Sequence, residues 1–294
     1  MSTQTYYVPE QSRWPILASI ALFFMAYGAG SLINSLTAEE AGGAGLILLL
    51  AGALGMGLIL LGWFSNVIHE SGEGLYSPQM DRSFRWGMSW FIFSEVMFFA
   101  AFFGTLFYVR TLAVPWLGGE GDKGVSNMLW EGFEAQWPLM VTPDQNAFPG
   151  PKEVIDPWHI PLFNTILLIA SSFTVTLAHK ALKLDQRSRV VFWLAVTVLL
   201  GSVFLYFQAY EYVLAYNELG LTLNAGIYGA TFFILTGFHG LHVTLGTLML
   251  IIIWLRVIKG HFSSEKHFGF EAVAWYWHFV DVVWVGLFLF VYIL

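Results

Sequence analysis

The chain has 294 residues, of which 57% are hydrophobic and only 11% charged, with a net charge of −7 and no cysteine. A soluble domain carries about 25% charged residues, so the composition excludes an ordinary water-soluble fold and points to a helical membrane protein. The missing cysteines exclude structural disulfides, thiolate-bound copper, iron–sulfur clusters and covalently attached c-type haem in this chain.

Hydropathy predicts seven transmembrane spans, at residues 15–36, 43–68, 85–112, 160–182, 190–212, 226–258 and 270–294. The opening MSTQTYYVPEQSRW lacks the basic n-region of a cleaved signal and reads as a short polar tail. The acidic turn TAEEAGG joins the first two spans. Span two is glycine-rich (Gly45, Gly52, Gly55, Gly57, Gly62), and its pairs Ala51/Gly55 and Ala53/Gly57 suit close helix approach or ordinary membrane-helix packing. A polar loop is expected at 69–84, dividing a two-helix unit, 1–84, from a five-helix unit, 85–294, within one polytopic domain.

Span three, RWGMSWFIFSEVMFFAAFFGTLFYVR, carries Glu95 as the one acidic or basic side chain between its terminal arginines. Counted from Trp86 at about 1.5 Å per residue, Glu95 lies about 14 Å deep, near the middle of a ~30 Å hydrocarbon core. A carboxylate there costs about 3 kcal/mol on insertion scales. Glu95 is therefore expected to face protein or a wet cavity as the neutral acid. It is either a structural hydrogen-bonding group or a proton-handling one.

Residues 113–159 form the longest polar stretch, with six prolines and with Trp116, Trp130, Trp137 and Trp158. Its prolines and glycines argue against a separate domain, and its tryptophans suit a lid in the membrane interface. Span five ends in YFQAYEY, where Glu211 is expected to snorkel towards water. Span six holds His239 and His242, one turn apart and able to reach a common ligand. Span seven, FGFEAVAWYWHFVDVVW, places Glu271, His278 and Asp281 on one broad helical face. These five residues form the candidate buried polar group, as hydrogen-bonding partners between helices; the three histidines with Asp281 could alternatively bind a metal or haem. No phosphate-binding glycine loop occurs, and the basic residues lack the aromatic interleaving of a nucleic-acid surface.

Ten lysines and arginines fall in the connections on the N-terminal side of the membrane and three in the others. The positive-inside rule then places the N-terminus inside and the C-terminus outside.

The segment HFGFEAVAWYWHFVDVVW closely resembles the C-terminal signature of cytochrome c oxidase subunit III. FIFSEVMFFAAFF, PLFNTILLIASSFTVTLAHKAL, LYFQAYEY and IYGATFFILTGFHGLHVTLG resemble that family's third to sixth helices, in the same order. The first two spans match less distinctively, and the ending VYIL lacks the family's frequent tryptophan-rich close. The length of the 113–159 segment resembles bacterial members. The resemblance implies a seven-helix bundle in which a lipid cleft separates helices one and two from helices three to seven. It implies an accessory subunit of a proton-pumping oxidase in the bacterial inner membrane, with no catalytic residue, haem or metal of its own. Haems and copper would sit in subunits I and II. Cytochrome c would donate electrons to the complex without binding this chain. The resemblance further implies support of proton uptake and retention of phospholipids. Headgroup contacts carry over to Arg85, Arg256, Lys259 and His261, with Trp63 as a lipid-facing aromatic; topology alone also accounts for these charges. Glu95 matches the family's buried glutamate. The rival readings are subunit III of a quinol oxidase, an independent transporter using Glu95, His278 and Asp281, and a metal-bearing redox protein.

Overall fold

A computed structural model describes residues 11–38 and 43–294. Most of the TAEEAGG turn, including Glu39 and Glu40, and the first ten residues lie outside the described residues. Among those described, the regular structure is helical: α1 (Trp14–Thr37), α2 (Ala44–Gly72), α3 (Pro78–Tyr108), a short α4 (Val114–Leu117), α5 (Ile160–Lys183), α6 (Arg187–Asn217), α7 (Gly226–Ile258) and α8 (Phe268–Leu287). Among the described residues seven helical segments are long and apolar enough to cross a membrane, the third running from α3 through α4, Pro78–Leu117. The seven predicted spans are therefore present, in an all-helical membrane fold.

Two boundaries differ from expectation. The polar stretch 69–84 is mostly helix: α2 continues to Gly72 and α3 begins at Pro78, leaving residues 73–77 as the connection. Hydropathy marks the hydrocarbon-crossing part of a helix, whereas backbone hydrogen bonding continues into polar residues beyond it. Pro78 suits a helix start because its missing N–H would be unsatisfied there anyway, and Asp81 favours the first turn electrostatically.

The chain packs as two compact units, Met1–Phe84 and Arg85–Leu294. In the first, α1 and α2 pair closely. A Cβ at Gly45 would lie 2.6 Å from the Leu32 backbone nitrogen, and one at Gly52 would lie 2.8 Å from that of Met25. These two glycines, one heptad apart, let the backbones meet. At Gly57 nothing lies within 4 Å, so the predicted Ala53/Gly57 pair is not the contact. Many large apolar side chains of this unit remain exposed, among them Ile47, Leu54 and Leu61. Trp63 is 48% exposed and stacks on Phe64.

The second unit holds a core around Trp277 and Trp284 of α8, both fully buried. An indole N–H in an apolar interior needs an acceptor. Trp277 donates to Ser171 Oγ and Trp284 to Thr165 Oγ1, each at 2.9 Å. Residues 113–159 build no separate core, for Val114, Phe133, Leu139 and Ile155 join the helices' own cluster. The Lys152 and Glu153 amides donate to the Leu219 carbonyl, and Trp137 meets Tyr228 edge-on. Asp156 accepts from the Trp158 amide at 2.9 Å just before α5. That hydrogen bond, aided by His159, holds the carboxyl below its ordinary pKa.

Candidate functional site

Glu95 on α3 and His242 on α7 meet inside the second unit. Glu95 Oε2 lies 2.8 Å from His242 Nε2, with side-chain exposures of 22% and 11%. The other imidazole nitrogen, Nδ1, lies 2.6 Å from the Phe238 carbonyl oxygen. A carbonyl only accepts, so Nδ1 carries a proton. Nε2 then either accepts a proton from the Glu95 carboxylic acid or donates as imidazolium to the carboxylate. In both states the pair is neutral overall and shares one proton. Phe98, Phe99 and Tyr276 surround the imidazole, with Phe99 edge-on at 5.0 Å. A net-neutral pair is the form in which two ionisable groups sit at least cost in an apolar bundle.

His239 does not converge with His242 on a common ligand. It is fully buried, its Nε2 lies 3.1 Å from the Val280 carbonyl oxygen, and its ring lies against Trp284 and Phe204. The three polar residues of α8 also separate. His278 Nδ1 lies 3.0 Å from Ser172 Oγ, and Asp281 stands one turn further along α8 within electrostatic reach of His278. Glu271 stands two turns earlier, paired with Arg85 Nη1 and facing His179 and His267. The five candidate polar residues thus occupy four places rather than one group.

Glu211 departs from expectation. Its side chain is fully buried rather than snorkelling, because the π-helical turn that continues α8, Phe288–Ile293, brings Tyr292 over it. The Tyr292 hydroxyl donates to Glu211 Oε1 at 2.7 Å, and Gln208 lies one turn away on the same helix.

The candidate headgroup residues are unequal. Arg85 is ion-paired to Glu271 and sits over the Phe268 ring at 5.3 Å. The Arg256 guanidinium lies over Phe262 at 4.4 Å, while Lys259 and His261 are exposed just beyond α7. Sequence reasoning missed His179, His267, Ser172 and Tyr292 as partners. The i,i+4 spacing of His267 and Glu271 was the available local signal. The others come from distant segments and had none.

A family model described as cytochrome c oxidase subunit III matches residues 4–122 and 127–294. The chain is 39% identical over 290 residues to cytochrome c oxidase subunit 3 of Cyprinus carpio, covering 98% of this chain and 96% of that protein. It is 37% identical over 289 residues to that of Coturnix japonica, with the same coverage. To that of Prototheca wickerhamii it is 36% identical over 293 residues, covering 99% and 98%.

Proposed function

The chain belongs to the cytochrome c oxidase subunit III family, and from that premise we propose that it is a haem- and copper-free accessory subunit of a proton-pumping oxidase. The full-length match to proteins named as subunit 3 of that oxidase carries this reading. The complex takes electrons from cytochrome c, which does not bind this chain, and passes them to oxygen in subunits I and II. The complex lies in the bacterial inner membrane, with the N-terminus of this chain cytoplasmic. The long 113–159 segment and the asymmetric lysine and arginine count support that placement.

Within this role, Glu95 and His242 supply a proton-exchanging pair in the apolar bundle. Exchange through the pair transiently changes its charge, and the resting state restores neutrality. Such a group supports proton uptake without taking part in oxygen chemistry. Arg256, Lys259 and His261 hold anionic phospholipid at one end of the helices. Arg85, already engaged by Glu271, contributes less charge there, and Trp63 offers an apolar lipid contact.

The experiment is removal of this subunit from the purified complex in mild detergent. Initial oxygen consumption with reduced cytochrome c should persist, while activity should decay faster during turnover and bound phospholipid should fall. Haem or copper migrating with this chain, or immediate loss of activity with full haem content elsewhere, would defeat the reading. Oxidation of quinol but not cytochrome c would reassign the complex to a quinol oxidase.

A further inference from the structure

We propose that His179, His267 and Glu271 form a reversible site for a zinc-class divalent cation. One ligand atom from each of the three lies within 4.8 Å of the others. Glu271 Oε1 is 3.4 Å from His179 Nε2 and 3.5 Å from His267 Nε2. These separations are long for hydrogen bonds. They match the spacing of ligand atoms around a tetrahedral ion: bonds of about 2.0–2.1 Å place neighbouring ligands about 3.3–3.4 Å apart. Two histidines and a glutamate, with a fourth position left for water, are a zinc donor set.

The surroundings prepare these atoms for a cation. His267 Nδ1 lies 3.1 Å from the Ser263 carbonyl oxygen, so Nδ1 is engaged as a donor and Nε2 is the nitrogen left facing the site. His179 Nε2 is buried and has no hydrogen-bond partner among the described residues. Its ring lies against Phe270 at 5.5 Å, which limits its rotation. The second carboxylate oxygen, Glu271 Oε2, is held by Arg85, leaving Oε1 directed at the histidines.

Two cations set the strength. Arg85 neutralises part of the Glu271 charge, and Lys183 stands within electrostatic reach of His179. Both oppose a dication, so the site exchanges its ion rather than retaining it as a resident cofactor. The sequence expectation is a chain with no metal of its own; a reversible site here departs from it, and uses none of His239, His242, His278 and Asp281. Occupancy would tie the last turn and a half of α5 to the first turn of α8. Through Glu271 it would also bear on Arg85 of α3.

The test uses the intact oxidase complex, stripped with a chelator and titrated with Co(II), whose visible bands report four-coordination, followed by Zn(II) or Mg(II). Complexes carrying His179→Gln and His267→Gln are compared at equal haem content. The expected result is one four-coordinate Co(II) in the wild type, displaced by Zn(II) but not by Mg(II). Each variant should weaken it by at least the ~10- to 100-fold that loss of an outer-shell partner costs. Wild-type complex without four-coordinate Co(II) overturns the site, whether or not the variants assemble. So does equal stoichiometry and affinity in either assembled variant, or equal displacement by Mg(II).

Discussion

His242 Nε2 lies 2.8 Å from Glu95 Oε2, and because His242 Nδ1 is committed to the Phe238 carbonyl, the two side chains share one proton. Replacing Glu95 with glutamine keeps a neutral partner of nearly equal size that can donate to the imidazole. The Glu95→Gln complex should therefore assemble and reduce oxygen, with the change confined to proton uptake or lifetime under turnover. An apolar carbodiimide, which reacts with a neutral buried acid, should label Glu95 in the wild type and leave the Glu95→Gln position unlabelled. His242→Leu instead strands the carboxyl and should destabilise the subunit by about 1–3 kcal/mol. Thermal unfolding of the two purified complexes checks the order; equal loss in both would contradict the shared-proton pair.

Tyr292 closes the polar end of the α6–α8 packing by donating to Glu211 at 2.7 Å. Glu211 has no exposed surface, so removing the donor cannot be repaired by solvent. Tyr292→Phe should cost about 1–3 kcal/mol of stability, the range for a buried polar group left under-satisfied. Glu211→Gln should cost less, since its carbonyl still accepts from Tyr292. Detergent-solubilised thermal melts of both variants measure this. A Tyr292→Phe subunit as stable as wild type would show that the hydroxyl contact is energetically idle.

The seven spans were legible because each carries its own apolar length, and length is a local property. Glu95 was legible for the same reason: one acid in 24 residues between arginines is anomalous within its own segment. Its partner was not, because His242 lies 147 residues away and its spacing from His239 suggested a different pairing. Glu211 misled because depth along a helix does not reveal which neighbour covers it. Only the return of α8 brings Tyr292 there. Helix ends were also underestimated, since polar residues such as Asp81, Arg82 and Ser83 stay helical outside the hydrocarbon.

Arg256 and Lys259 differ from Arg85 in that Arg85 is paired to a glutamate. If the charge at this end recruits anionic lipid, the double variant Arg256→Ala/Lys259→Ala should lower retained phospholipid more than Trp63→Ala does. Each surface cation near an anionic headgroup contributes about 1 kcal/mol, so two correspond to roughly a 30-fold change in affinity. Native mass spectrometry of the purified complex counts the lipids. Unchanged counts in the double variant would leave these charges with topology alone.

Gly52 and Gly57 share one helix and one residue type but differ in their surroundings. A side chain at Gly52 would run into α1 backbone, 2.8 Å from the Met25 nitrogen and 2.9 Å from the Ala21 carbonyl oxygen. Neither backbone atom can rotate away as a side chain would, so the helices must separate. Around Gly57 the space within 4 Å is open. Gly52→Leu should therefore disrupt the α1–α2 pair, at a cost of at least the ~1–3 kcal/mol typical of overpacking. Gly57→Leu should be tolerated or mildly stabilising, because glycine costs a helix interior about 0.8–1.0 kcal/mol relative to alanine and leucine ranks just below alanine. Limited proteolysis between α1 and α2, read on the assembled complex, distinguishes the two. Equal protection in both variants would mean that the close backbone approach at Gly52 does not hold this pair together.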